Sequence, residues 1–531
     1  LNRIKSKPPP GGLDQPRGGR GRVNHRYFAS LVFSFGLLFT APALPNGWEH
    51  RAVPTHALLK ALHSRDPAYR ARAAMSLGIK QDDRAVEGLV GLIESGEPDS
   101  EVRAAVYLAL GRIADPAANE LLESALVQDE DAAARAQAAL ALGEFAIDST
   151  VDTLVEALAR ESDSGVRAAL VSALGAFTGP RAVGALLKTF DDAEPDLRRQ
   201  TIRAMGRTRS REMVVPLLSA LSVEDDPMFQ QPMVDALAMI GDPRSRVPLE
   251  QLLEQSDNDS VRARVVLALG AIRDGSSIPA LVDLLDRGTP EQRYLALSAL
   301  TQLGDARAAP VVARFYDDVS DQLDALSRDT TIELVDPLLV GMRLQRAALR
   351  VLLELDPASG LDAFLRAAKP HSYPGGSAAR LRLNTLVYET RRLAISGLGY
   401  EGSQKAFTTL VSAPIWNDTD PRIRSVATRA AAIAGHDGAF RKIAERLADG
   451  DPEVRWTAAS ALGRLKNSDA IDPLRSVLHD PHSEVRRQAL LSLAYLDAGK
   501  ALSEIERAAV GDPSQRVRNA ARQASELLTN N

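Results

Sequence analysis

The chain has 531 residues, 45% of them hydrophobic and 25% charged, with a formal net charge of −5 and no cysteine. A length that would ordinarily imply several domains can bury a large core, while the missing cysteine excludes disulfide staples, thiol catalysis and attachment of lipid through a cysteine. The acidic balance argues against nucleic acid or an anionic membrane as partner, since both reward clustered Lys and Arg.

Residues 1–22 are rich in Pro, Gly and Arg and show no periodicity, which fits a non-native or disordered leader, with Val23 as the expected true start. Residues 23–43 read as a signal peptide: His25 and Arg26, an apolar run from Phe28 to Thr40, then Ala41-Pro42-Ala43. The run is shorter than the roughly 20 apolar residues a membrane span needs. The expectation is therefore an exported protein, periplasmic or secreted, that starts near Leu44 and keeps no integral membrane span. Losing residues 1–43 takes the net charge from −5 to −11.

From residue 44 the chain is periodic. The phrase V-R-x-x-A-x-x-A-L-G returns every 31 to 33 residues, with its arginine at Arg70, Arg103, Arg135, Arg167, Arg198, Arg262 and Arg293, and Gln230 filling the one missing register. A fixed period of this size marks a stacked repeat array. Each phrase predicts a helix. In the unit of Arg455, Asp451 caps the helix start and Pro452 suits its first turn. Val454, Ala458, Ala461, Leu462 and Leu465 then share one face. A second amphipathic helix precedes each phrase, as in Val86, Leu89, Val90 and Ile93. Neither helix buries its apolar face without the next unit. The fold class is all-α, an α-solenoid of roughly 13–14 helix pairs, with regular repeats over 44–316.

Residues 317–390 read as a degenerate repeat with insertions. Asp317, Asp318, Asp321 and Asp324 open it, a weak repeat passes through Arg346, Leu349, Leu352 and Leu353, and Pro370 to Ser377 read as a loop. Insertions in solenoids map to one face, frequently the binding face, although an irregular joint that only changes curvature explains the break equally well. Residues 391–531 return to the regular phrase at Arg391, Arg424, Arg455, Arg486 and Arg518.

Phrases such as Ser100–Ala118, "SEVRAAVYLALGRIADPAA", and Pro452–Ala470, "PEVRWTAASALGRLKNSDA", resemble HEAT repeats of the short bacterial type found in the phycobilisome-lyase HEAT-like family. The resemblance runs over about 55–531 and implies that the repeated Asp and Arg are structural, pairing along the stack. It also implies that the arginine-bearing helices line the concave side. The superfamily includes enzymes. One type attaches or detaches bilin chromophores; another is an iron-dependent hydroxylase that holds its metal with His-Glu pairs, and this chain contains no His-Glu dipeptide.

No motif for catalysis, cofactor binding or metal binding emerges. His479 and His482 have ligand-like spacing, but they sit where other units place an Asp-Pro turn, and a zinc site needs three or four converging ligands. The expected function is a non-catalytic exported scaffold or adaptor that binds a protein partner on the concave face. The alternative is a structural component of an envelope assembly. Positions one, four and five residues after each repeat arginine point away from the core, which nominates Tyr107, Arg199, Arg203, Tyr294, Trp456 and Arg487 as partner-binding residues.

Overall fold

The computed structural model describes residues 53–192, 194–328, 335–372, 378–436, 438–496 and 498–529. The leader, the signal-peptide segment and Tyr373 to Ser377 lie outside the described residues. Helices dominate, and no strand occurs among the described residues. They form fourteen consecutive pairs, from Thr55–Ala61 with Pro67–Lys80 to Leu502–Gly511 with Gln515–Thr529. The α-solenoid expected from the period is the observed fold.

The regular unit is built as its residues dictate. Asp99 Oδ1 accepts the Val102 N–H at 3.1 Å, and Asp451 Oδ1 accepts the Glu453 N–H at 2.8 Å, so each aspartate satisfies a free donor at a helix start. The arginine-bearing helices pack on one another in one continuous layer, and their shorter partners form the other. The glycine and alanines of the phrase set that packing. A Cβ on Gly78 would stand 2.7 Å from Ala109 Cα, and one on Gly143 would stand 2.7 Å from Ala173 Cα. The glycine of one unit lies against the second small residue of the next, and nothing larger fits.

A ladder of ion pairs links the units. Arg103 Nε donates to Asp129 Oδ2 at 2.8 Å, and Arg103 Nη1 donates to the carbonyls of Glu97 and Pro98 in its own unit. Asp129 in turn accepts the Asp131 N–H through its carboxylate and Arg135 Nη1 through its backbone carbonyl. Asp129 thus joins the arginine before it to the arginine after it. The same rung recurs at Arg70–Glu97, Arg135–Glu161, Arg198–Glu224, Arg391–Asp418, Arg424–Asp449, Arg455–Asp480 and Arg486–Asp512. Gln230 keeps half of the device, donating through Nε2 to the Glu224 carbonyl at 2.6 Å. Asp480 of the His479/His482 pair belongs to this ladder, and its carboxylate accepts the His482 N–H at 2.8 Å.

Past Leu303 the helices lengthen. Ala309–Arg328 has 20 residues, Val335–Leu355 has 21 and Ala378–Glu401 has 24, where a regular arginine-bearing helix such as Ser100–Ile113 has 14. The stack does not stop, because Pro290–Leu303 packs on Val335–Leu355 and that helix packs on Ala378–Glu401. Arg366 ties the short helix Leu361–Ala367 to Ala309–Arg328 through Asp321 at 2.7 Å and Asp324 at 2.5 Å.

Candidate functional site

The six nominated residues scatter along the stack and into different environments. Tyr107 is 2% exposed and its hydroxyl donates to Asp129 Oδ2 at 3.2 Å, so it belongs to the ladder and not to an open face. Burial first, and then the Asp129 carboxylate, push its phenol well above the usual range. Trp456 is half-buried and packs against the core. Arg487 is half-buried beside Glu484 at 3.9 Å. Arg199 and Arg203 share one helix, Pro195–Thr208, with Arg203 exposed and Arg199 bonded to Asp196 at 2.7 Å. Tyr294 is 55% exposed.

Of these, Tyr294 alone borders the main cleft. A space of about 1110 Å³ opens between Pro290–Leu303, Val335–Leu355 and Ala378–Glu401. Its apolar side includes Leu295, Val340, Leu344, Val351 and Leu393; its polar side includes Arg343, Arg346, Arg350 and Arg392 with Glu291, Glu354 and Glu389. Two of the four arginines are neutralised. Arg346 bridges the cleft to Glu389, and Arg350 lies 3.6 Å from Glu354 on the same helix. Arg343 and Arg392 are exposed and form no ion pair with any described residue. An apolar wall, one aromatic ring and two free guanidiniums suit a flat, mostly apolar molecule that carries carboxylates.

Sequence reasoning placed Arg392 on the open face of its helix but did not nominate it, and it missed Arg343 entirely. The signal existed in part. Arg392 has the same register as Tyr294, one residue after a repeat arginine, whereas the helix bearing Arg343 has lost the phrase from which registers are counted.

This is an α-solenoid of helix pairs with a cleft of about 1110 Å³ in its enlarged middle units. The family model for HEAT repeats matches residues 55–128, 119–201, 184–259, 247–327 and 440–526. Those stretches cover more than half of the chain, which therefore belongs to the HEAT-repeat family, in its phycobilisome-lyase-like form. The bilin biosynthesis protein PecE of Mastigocladus laminosus is 36% identical over 89 residues, 17% of this chain and 33% of that protein. The phycocyanobilin lyase subunit alpha of a Picosynechococcus species is 32% identical over 141 residues, 23% of this chain and 52% of that protein. The chain spans about a third to a half of the length of these curated relatives. Among solved structures it is similar to yeast importin-beta, with 13% identity, a TM-score of 0.47, and coverage of 89% of this chain and 76% of that one.

These relatives correct the functional expectation. A non-catalytic scaffold, or a passive structural component, was inferred from the missing motifs, whereas the relatives are named for bilin biosynthesis and a lyase activity; the expected export rested on residues 23–43, which lie outside the described residues. The reading of the chain as no enzyme falls with the scaffold. The physical reason is that a scaffold of repeated helices can house chemistry without a local sequence motif, since its sites assemble from helices far apart in the chain. Among the described residues no helix is long and apolar enough to cross a membrane. The stacked repeats offer an extended helical layer suited to protein contact.

Proposed function

We propose that the chain is a bilin-handling protein of the lyase type and that its middle cleft holds the linear tetrapyrrole. The observation that carries this reading is the pairing of Arg343 and Arg392, both free of ion pairs among the described residues, with an apolar wall and the ring of Tyr294. A bilin presents two propionates and a conjugated, largely apolar body. The guanidiniums receive the propionates as charge-assisted pairs, and Tyr294 lies against the rings. The chain carries no cysteine, so it holds the pigment by ion pairs and packing rather than by a thiol adduct. Partial similarity to the phycocyanobilin lyase subunit supports the reading over 141 residues.

The experiment is an absorbance and fluorescence titration of phycocyanobilin with the purified chain. Binding is expected to sharpen the long-wavelength band, and Arg343→Ala with Arg392→Ala to weaken it by roughly tenfold for each guanidinium removed. A pigment spectrum that the protein leaves unchanged, or a double variant that binds as tightly as the parent, would remove the cleft from consideration as the tetrapyrrole site.

A further inference from the structure

Helix Pro195–Thr208 presents Arg199, Arg203 and Arg207, one turn apart, on the side away from its buried Leu197, Ile202 and Met205. Three guanidiniums at a spacing of about 6 Å repel one another unless something negative joins them. The protein supplies little. Arg199 holds only Asp196, whose side chain is 87% exposed. Arg207 Nη2 donates to the Ser172 carbonyl and hydroxyl, both neutral. Arg203 hydrogen-bonds to no described residue. The nearby Asp235 is already taken by Arg264, which also donates to Gln231 at 3.1 Å. The Nε atoms of Arg199 and Arg207 are buried and find no acceptor among the described residues. Desolvation first, and then its neighbour Arg199, pull the Arg203 guanidinium below its ordinary value, against the pull of Asp235. Arg207 is pulled down in the same way, by burial first, against the pull of Glu144.

We propose that this arginine column is a docking surface for an acidic protein segment, specifically a helix carrying carboxylates one turn apart. The column extends for about 12 Å along its helix. A single phosphate or carboxylate meets one or two of its members, whereas Glu or Asp residues repeated every fourth position match all three in register. The flanking Asp196 and Asp235 and the net charge of −5 weigh against a nucleic-acid strand. The column stands three helix steps from the cleft, past Pro227–Ile240 and Asp259–Ile272, which is roughly 24–30 Å. It is a separate surface, and the inference does not rest on the tetrapyrrole reading.

The test uses the whole chain and a labelled helical peptide with glutamate at every fourth position, against the same peptide with glutamine, read by fluorescence anisotropy. The glutamate peptide is expected to bind at least ten times more tightly than its glutamine counterpart, with affinity falling as salt rises. Arg203→Gln, exposed and outside the packed face, is expected to weaken binding about fivefold to tenfold with unchanged circular dichroism. Arg199→Gln gives a second variant on the same column with the same expectation. Equal binding of the two peptides, no binding of either, or parental affinity in both variants overturns the proposal. Complete displacement by millimolar inorganic phosphate also overturns it, since that identifies a small-anion site instead. Phycocyanobilin titration of Arg203→Gln is expected to match the parent, so failure here and failure of the cleft assignment remain distinguishable.

Discussion

The C-terminal repeats and the repeats that border the cleft are made of the same phrase, yet one region is closed and the other open. From Arg391 to Asp512 four consecutive arginines each reach a carboxylate in the next unit. Between residues 246 and 303 neither repeat arginine does: Arg262 Nη1 donates to the Leu253 and Ser256 carbonyls, and Arg293 Nη2 to that of Asp286, while the tie to the next unit comes off the register, from Arg246 to Asp274 at 3.2 Å. The carboxylate register falls 25 to 27 residues after each arginine, where the closed regions place Glu97, Asp129, Glu161, Glu224, Asp418, Asp449, Asp480 and Asp512. Twenty-six residues on, Ser256 follows Gln230, Gly288 follows Arg262 and Val319 follows Arg293, and the adjacent Asp257 and Asp318 pair with no repeat arginine among the described residues. The cleft lies just beyond the lost rungs. The same position in two units shows the consequence. Trp456 and Tyr294 each follow a repeat arginine, but Trp456 is covered by its neighbours whereas Tyr294 looks into the cleft. The cleft thus borders the stretch in which the repeat arginines lose their acidic partners.

Acid is the strongest way to break this contrast. At Asp449 and Asp480 burial opposes the charge. The arginine hydrogen bond, a backbone N–H and the nearby positive charge outweigh it and hold both carboxyls below their ordinary values. At Asp512 the Arg486 hydrogen bond itself is the largest influence, in the same direction. A carboxyl depressed in the folded state stabilises fully above its unfolded value, near 3.9 for Asp, and loses that contribution as pH falls through the folded value. Stability at 391–529 should therefore be flat above about pH 5 and fall steeply below about pH 4. Helices 259–272 and 290–303 have no rung to lose. Their region keeps depressed carboxyls of its own, Asp274 with Arg246 and Asp305 with Arg307, but neither belongs to the ladder, and the exposed Arg307 pair is screened by water. Hydrogen exchange at pH 6 and pH 3 should show protection lost first over the C-terminal units. Uniform loss along the chain would mean the ladder does not distinguish the two regions.

Single substitutions sharpen the point at smaller scale. Asp480→Ala strands Arg455, whose Nε and Nη2 otherwise bond Asp480 at 2.6 and 3.0 Å in a largely buried setting. Breaking a buried pair from one side destabilises by about 3 kcal/mol. Arg293→Ala removes only a hydrogen bond to a carbonyl and should cost about 1 kcal/mol. Urea denaturation of both variants gives the comparison directly. Equal losses would show that the rungs add nothing beyond the carbonyl contacts.

The helix pairs and their caps were legible in the sequence, because each follows from a local register, and the pairing of Arg with acid along the stack was implied by the resemblance to HEAT repeats. The environment of the outward positions was not. Marking one buried stripe treats a helix as having one neighbour, but an inner helix here is flanked on both sides at the distance that Gly111 against Ala141 permits. That close approach buries Tyr107 and half-covers Trp456. The cleft was hidden for the opposite reason: its middle helix, Val335–Leu355, lost the repeat phrase, and Arg343 came with no register to count from. The broken rungs themselves could have been read. Ser256 and Gly288 stand 26 residues after Gln230 and Arg262, where Asp129 and Glu161 follow Arg103 and Arg135, and tracking the acids as closely as the arginines would have flagged the region before the cleft as one whose repeat arginines lack their rungs.

The smallest expected effect comes from restoring a rung. Gly288 is a poor place for it, since a Cβ there would stand 2.4 Å from the Leu284 carbonyl oxygen. Ser256 is suitable. Its hydroxyl already accepts the Asn258 N–H at 3.2 Å, the bond that Asp129 makes with Asp131, so an aspartate keeps the turn. Gln230 occupies the arginine register and already donates to Glu224. In the double variant Gln230→Arg with Ser256→Asp the two new charges meet as Arg103 and Asp129 do. Either change alone buries a charge without its partner, so each single variant should be less stable than the parent. The pair should recover more than the sum of the singles, with a coupling of about 1 kcal/mol in a double-mutant cycle. A coupling indistinguishable from zero would show that the spacing of neighbouring units, rather than the missing acid, keeps this stretch open.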